Sequence, residues 1–387
     1  MTPHDQSNTR NTEVLIVGAG PVGLALALAL HRRGRSVRLA DARPAGAGAR
    51  DARVLALSHG TRQTLERLNA WPAIGPTPIE TIHVSQRGAL GRTRMQASEY
   101  GVPALGYVTP ASLLYAQLKA AVDARGIEVR HDANVTALEA TGDCIEAQLS
   151  DGSSLAAQLV ACCEGVIQGS AESDIRSRDY GQHAIILRAR LAAPHGGVAY
   201  ERFTPEGPLA LLPLGEDYSV VWTMPAAAAD ARMDLPEPAF RGALQAAFGD
   251  RVRFVETLER VRFPLGLRVR NNPVGPRTVW LGNAAQTLHP VAGQGFNLAL
   301  RDVWALTETL TDVADPGDGA ALARYTRARL LDRRSTIGFT DSLVRLFSND
   351  DPLLSHARGA GLLALDLLPP LRHFVAKRML FGARAWP

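Results

Sequence analysis

The chain has 387 residues, 46% hydrophobic and 21% charged, with a formal net charge of +4. That is an ordinary make-up for a soluble protein with a substantial core, long enough for two modest domains or one elaborated one. Basic residues are scattered, so no nucleic-acid partner is expected, and no apolar run reaches the ~18 residues of a spanning helix.

The polar first dozen residues carry no secretory pattern, so a cytoplasmic protein is expected. Cys144, Cys162 and Cys163 form neither a disulfide framework nor a metal-ligand spacing, and read as buried thiols in a reducing compartment. The histidines also lack ligand spacing, so no metal site is expected.

Along the chain, the apolar, β-branched residues 14–17 predict a buried parallel strand. Gly18-Ala-Gly-Pro-Val-Gly23 follows at once, then an alanine- and leucine-rich helix from Pro21 to Arg33 that stops near Gly34. Residues 37–40 read as a second strand ending in Asp41. Strand, glycine turn, helix, strand and an acid about twenty positions on form a dinucleotide fingerprint. Gly18 permits the turn, Gly20 admits a pyrophosphate, and Gly23 lets helix pack on strand. The helix start offers free N–H groups to phosphate, and Asp41 can accept from ribose hydroxyls. On its own the motif fits FAD and NAD alike.

Residues 45–49 predict a loop, 61–69 an amphipathic helix, and 82–85 a strand. Residues 107–123 show helical spacing, while 127–130, 144–149 and 159–163 read as strands. From 180 to 270 the pattern is strand-rich (184–189, 198–203, 209–213, 218–224), with a helix near 238–248. This predicts an inserted antiparallel sheet flooring a substrate cavity. Residues 278–281 return as a strand, and 297–312 and 318–347 are helical patterns.

Several further motifs stand out: Ala56-Leu-Ser-His-Gly-Thr61, His83-Val-Ser-Gln-Arg-Gly88, Glu201-Arg-Phe-Thr204 and Gly207-Pro-Leu-Ala210. Gly282-Asn-Ala-Ala-Gln-Thr-Leu-His-Pro290, Gly293-Gln-Gly-Phe-Asn297 and Gly338-Phe-Thr-Asp341 complete the set. From Glu13 to Phe381 the chain resembles the class A flavoprotein aromatic monooxygenases, specifically the ubiquinone-biosynthesis hydroxylases of the 2-polyprenyl-6-methoxyphenol branch.

The resemblance implies an α/β fold like para-hydroxybenzoate hydroxylase. A Rossmann-like FAD-binding domain would comprise residues 12–80, 106–180 and 273–325. Substrate-domain strands at 81–105 would join an antiparallel-sheet substrate domain at 181–272, and C-terminal helices would occupy 326–387. Gly18, Gly20, Gly23 and Asp41 would hold the ADP half of FAD, with Arg53 near the pyrophosphate. Gly282 and Asn283 would reach the phosphate and ribityl chain. His289, Pro290, Gly293, Gly295 and Asn297 would lie beside the flavin ring.

Relatives carry Asp-Gly where this chain has Glu164-Gly165, a longer acid in a position linked to FAD and NADPH. The implied reaction is hydroxylation of a phenol. NADPH or NADH reduces the flavin, O2 adds at C4a, and the hydroperoxide transfers OH to the ring. The cofactor carries that chemistry, while the protein orients the ring and excludes water.

His289 and Pro290 are the flavin-proximal candidates for a catalytic role, with a structural role preferred for His289. Glu201, Arg202, Phe203 and Pro213 are candidates for the cavity wall, and Trp222 for the core. The implied partners are a polyprenylated phenol and other ubiquinone-biosynthesis proteins. A leucine-rich stretch at 361–371, followed by Arg372, His373, Lys377 and Arg378, reads first as helices packed on the core. Its second reading is a peripheral contact with the inner membrane. A hydroxylase of small soluble aromatics and a non-catalytic scaffold retaining FAD are the alternatives in function.

Overall fold

The computed structural model describes residues 12–88, 91–164, 174–347 and 352–382. Its strands, numbered along the chain, form three sheets. The first contains β1 (Thr12–Val17), β2 (Val37–Ala40), β8 (Val129–Arg130), β9 (Val135–Thr141), β10 (Cys144–Leu149), β11 (Ser154–Cys162), β17 (Val274–Gly275) and β18 (Thr278–Trp280). The order is β17-β18-β11-β1-β2-β8, with the β9–β10 hairpin added to β11. β1 runs parallel to β2 and β11, and β11 parallel to β18.

A parallel strand covered on both faces must be apolar throughout, and Val14, Leu15, Ile16 and Val17 are all buried. Helix α1 (Pro21–Arg32) connects β1 to β2. Its Leu24, Leu26, Leu28 and Leu30 are buried in succession, because α3 (Ala111–Asp123) and α6 (Gln294–Leu310) flank it.

The second sheet contains β5 (Thr81–Gln86), β6 (Arg92–Gln96), β12 (Ile175–Leu191), β13 (Val198–Thr204), β14 (Gly207–Leu214), β15 (Asp217–Pro225), β16 (Phe254–Arg270) and β19 (Gln286–Thr287). The order is β19-β16-β12-β15-β14-β13-β5-β6, and only β13 with β5 is parallel. Alternation gives this sheet two different faces. One buries Tyr218, Val220 and Trp222 against Phe240, Leu244 and Phe248 of α5 (Glu237–Phe248), beside α4 (Ala226–Met233). The other face carries Ala199, Phe203 and Leu212 toward the loop at 290–293 and the C-terminal helices. β19 pairs Gln286 with Val269, which stitches the second glycine-rich segment to the substrate sheet.

The third, small sheet is β3 (Val54–Ser58), β7 (Gly106–Pro110) and β4 (Thr77–Ile79), in that order. Helix α2 (His59–Arg67) leaves β3 with Ser58 as its N-cap, whose hydroxyl accepts from Thr61 N at 3.2 Å. Helices α7 (Gly319–Phe347), α8 (Pro352–Leu367) and α9 (Pro369–Phe381) close the chain.

The α/β architecture with an inserted antiparallel sheet and C-terminal helices is as predicted. One local expectation is corrected, and one strand within the strand-rich span 180–270 has no expectation of its own. The helix expected over 107–123 begins only at Ala111, because Pro110 has no N–H to give and Tyr107, Val108 and Thr109 pair with β3. β16, unforeseen, spans 17 residues. Its run Val255-Glu-Thr-Leu-Glu-Arg-Val261 lacks an apolar alternation, because only β12 pairs with it there and several of its side chains face solvent.

Candidate active site

The first glycine turn is shaped by contacts that leave no room for a side chain. Gly18 has φ +104°, and a Cβ there would lie 2.9 Å from Glu164 Cβ. A Cβ on Gly23 would lie 1.9 Å from the Gly18 carbonyl oxygen. Helix α1 starts at Pro21 with Gly20 as N-cap, so no capping side chain satisfies its first free N–H groups.

Asp41, buried at the end of β2, anchors the turn: its Oδ2 accepts from Ala19 N at 2.6 Å. Arg43 forks onto the same carboxylate from Nε at 3.0 Å and Nη2 at 2.9 Å. Burial pushes this carboxyl up, but the bonds from Arg43 and Ala19 outweigh it and hold it below its usual range. A ribose hydroxyl at Asp41 therefore has to share or displace Arg43.

Glu164 stands in the same place. Burial, with the Asp41 charge added, pushes its carboxyl up to about 7, against the pull of Arg43. Its neighbour Gly165 lies outside the described residues. Arg53 is an exposed side chain paired with Asp51.

The second segment meets the first directly. Gly282, with φ +59°, has Val22 of α1 where its Cβ would be, at 3.2 Å, and Leu281 N donates to Cys162 O of β11. Asn283 is exposed beside it. Gly293 also has φ +59°, with Ala56 of β3 2.9 Å from its would-be Cβ, while Gly295 faces open space.

Asn297 spends its side chain internally. Its Oδ1 accepts from Ser58 N at 2.8 Å and Thr61 Oγ1 at 2.7 Å, and its Nδ2 donates to Ala56 O at 2.9 Å and Gly293 O at 2.8 Å. Its side chain thus positions the segment. His289 is also inward: Nδ1 accepts from Val291 N at 3.1 Å, and the ring packs edge-on to Tyr180. Burial pushes His289 down to about 4, so it is a neutral group fixing the turn at Pro290.

Behind the segment lies a buried ionic network that sequence reading missed. Gln286 Nε2 donates to Asp302 Oδ2 at 2.8 Å, and its Oε1 accepts from Arg333 Nε at 3.0 Å. Arg329, with a side chain 2% exposed, pairs with Asp302 at 2.6 Å and Asp332 at 2.6 Å. Arg301 Nε adds a bond to Asp332 at 2.8 Å. The i,i+3 spacing of Arg329 and Asp332 was the only sequence signal, and it reads equally as a solvated helix face.

A cavity of about 290 Å³ opens where this segment faces the second sheet. Pro290, Val291 and Gly293 form one wall, Ala199, Phe203 and Leu212 another, and Phe339, Leu362, Leu365 and Met379 from the C-terminal helices close it. A smaller space of about 70 Å³ adjoins it at Ala56 and Met379, beside Ser58, Gln294 and Asn297.

Phe203 lines the main cavity, but Arg202 and Pro213 do not. Strand alternation turns Arg202 to the opposite face, where Nη1 donates to Ser85 and the guanidinium stacks over Phe248; Pro213 likewise alternates with Leu212. Among the described residues no group of histidine, cysteine and acidic side chains could hold a metal ion.

Uncapped helix N–H groups, side-chain-free cradles at both glycine segments and an adjoining apolar cavity suit an extended dinucleotide with a planar ring at its far end. The comparisons with known proteins agree. Residues 11–339 match the FAD binding domain family. The ubiquinone hydroxylase UbiL of Rhodospirillum rubrum is 35% identical over 400 residues, covering 100% of this chain and 93% of that protein. The 3-demethoxyubiquinol 3-hydroxylase of Escherichia coli is 30% identical over 385 residues, covering 92% of this chain and 95% of that one. A solved variant of Klebsiella pneumoniae HpxO complexed with FAD shares the fold, with a TM-score of 0.77 at 18% identity, covering 97% of this chain and 100% of that one. The chain belongs to the FAD binding domain family, as a class A FAD-dependent monooxygenase of the ubiquinone-hydroxylase group.

Proposed function

We propose that this protein uses FAD, NADPH or NADH, and O2 to hydroxylate a polyprenylated phenol of the 2-polyprenyl-6-methoxyphenol type in ubiquinone biosynthesis. What carries this reading is the cavity: an almost wholly apolar space of about 290 Å³ that begins at the loop of Pro290 and Gly293 and ends among the C-terminal helices. Each buried CH2 of a prenyl tail is worth about 0.8 kcal/mol, so such walls select a greasy substrate.

In this reading Gly18, Gly20 and Gly23 with the start of α1 receive the pyrophosphate, and Asp41 and Glu164 face the adenosine ribose. Arg53, Gly282 and Asn283 line the path of the phosphates and ribityl chain. Gly293 and Gly295 admit the ring, positioned by Asn297 and by the turn at His289 and Pro290. The bound flavin would supply electron transfer and oxygen activation; the chain binds, orients and excludes water. Residues 12–80, 106–180 and 273–325 serve the cofactor, and 81–105 and 181–272 the substrate.

Leu363 and Leu367 of α8, Leu368 between the helices and Leu371 of α9 are exposed, with Lys377 and Arg378 following. Among the described residues no helix is long and apolar enough to cross a membrane. The exposed leucines and trailing basic residues support peripheral contact with an anionic bilayer, and liposome flotation tests it: equal flotation with and without residues 353–387 would rule it out. The main test is anaerobic stopped-flow of the purified protein, adding NADPH with and without a prenylated methoxyphenol. Substrate-accelerated loss of flavin absorbance is expected; a yellow protein that never bleaches would contradict the proposed reaction.

A further inference from the structure

We propose that Glu201 is the residue that holds the substrate's phenolic hydroxyl and accepts its proton, an assignment that rests on the phenol-hydroxylase reading above. β13 alternates, so Ala199, Glu201 and Phe203 turn to the cavity. Glu201 sits in register between Val84 of β5 and Ala210 of β14, neither able to bond its carboxyl. Among the cavity-lining residues it is the only carboxylic acid. Its Oε1 is buried and has no hydrogen-bond partner among the described residues.

A buried carboxyl oxygen without a partner costs stability and contributes nothing to the sheet. Val, Thr or Leu would fill a strand position facing an apolar space at no such cost. An orphaned acceptor in an otherwise apolar cavity is instead the kind of polar group that orients a ligand.

The complementary ligand is an apolar molecule with one O–H to donate. A carboxylate substrate would be repelled, whereas a phenol places its ring and tail against the apolar walls and its hydroxyl on Oε1. The other titratable residues bordering the cavity are Tyr200 and Arg372. Arg372 is directed elsewhere, with Nη1 donating to Asp366 O at 2.8 Å and Nε 3.5 Å from Glu99.

In the step, the phenolic O–H bond breaks and an Oε1–H bond forms. The electron pair stays on the phenolate oxygen and enriches the ring carbons ortho and para to it. When the ring re-aromatises, the proton on Glu201 returns to that oxygen, and the ring hydrogen replaced by the incoming hydroxyl leaves as a proton. Burial alone pushes the Glu201 carboxyl up to about 7, so the accepting form gains population as pH rises through that value.

The test titrates a geranyl-substituted methoxyphenol into oxidised, flavin-loaded protein across this pH range, following the flavin spectrum and the phenolate difference band. Wild type should bind more tightly, with a growing phenolate band, as pH rises through about 7. E201Q, isosteric and uncharged, should keep its flavin, bind with no such pH dependence, and hydroxylate about 10²–10⁴-fold more slowly. E201D should restore the pH dependence at lower affinity. An E201Q protein with wild-type pH dependence and a rate within a few-fold of wild type would overturn the assignment, as would loss of flavin or fold in both variants. If wild type holds flavin but the phenol perturbs neither its spectrum nor its reduction, the functional reading fails first, and this assignment with it.

Discussion

The turn at residues 18–23 and the segment at residues 282–295 bring backbone to the same crevice, but they are held there by opposite means. The first is local: a buried strand, a glycine in the left-handed region, and a helix whose Gly23 touches the Gly18 carbonyl. The second is held by side chains from elsewhere. Asn297 ties it to β3 and α2, Gln286 and Asp302 tie it to Arg329 and Arg333 of α7, and β19 ties it to the substrate sheet. Most of the first segment's shape comes from residues 14–41, whereas the second is held by side chains of β3, α2 and α7 and continues into the cavity wall.

The contrast can be broken most sharply at Gly23. A G23A methyl would collide with a main-chain oxygen, so the cost should exceed the ~1–3 kcal/mol of ordinary overpacking, with loss of bound flavin. Flavin stoichiometry and the melting temperature report it, and a fully flavinylated, stable G23A would show that the first turn is not rigid. D302A should come next. It leaves Arg329 buried with only half its pairing, at ~3–5 kcal/mol in chemical denaturation, and weakens flavin retention through the second segment. A loss of less than ~1 kcal/mol would mean the network does not hold that segment.

N297A removes four bonds at once. It should cost roughly 2–4 kcal/mol and loosen flavin binding more than D302A does for each unit of stability lost, because Gly293 is its direct partner. The smallest effect at neutral pH is expected for H289Q, whose amide oxygen can still accept from Val291 N.

The difference at His289 appears in acid. Its folded value, about 4, lies below the ordinary 6.5, so the unfolded chain binds more protons between those values and stability falls as pH drops through them. H289Q should flatten part of that fall in pH-dependent melting; His83, which burial pushes down to about 4, and His59, which burial also lowers, contribute to the rest. An unchanged acid profile would show that His289 is not buried neutral.

How far the sequence could be read follows the same division. Residues 14–41 were legible because each element is signalled by its own residues: apolar strand, spaced glycines, helix former, acid. β16 was not, since most of it pairs on one side alone and several of its side chains face water. The helix start at Ala111 was blurred because the β-forming Tyr107, Val108 and Thr109 fit the apolar spacing of the helix that follows.

At the site, Phe203 and Arg202 looked alike as cavity candidates, because a strand's composition does not say which face is inside. Asn297 looked like a cofactor ligand because its four internal partners come from residues 56–61 and from Gly293, and the bonds to 56–61 are invisible along the chain.

The sequence by itself determined the βαβ crevice and the dinucleotide class, which depend on steric and periodic rules that act within a few residues; the flavin came from the family resemblance carried by the motifs spread along the chain. Only the tertiary structure decided which face of the second sheet became the cavity wall and that Glu201 stands alone on it. It also decided that the second glycine segment hangs on a buried ionic network, because burial and pairing belong to the neighbours a residue meets in space.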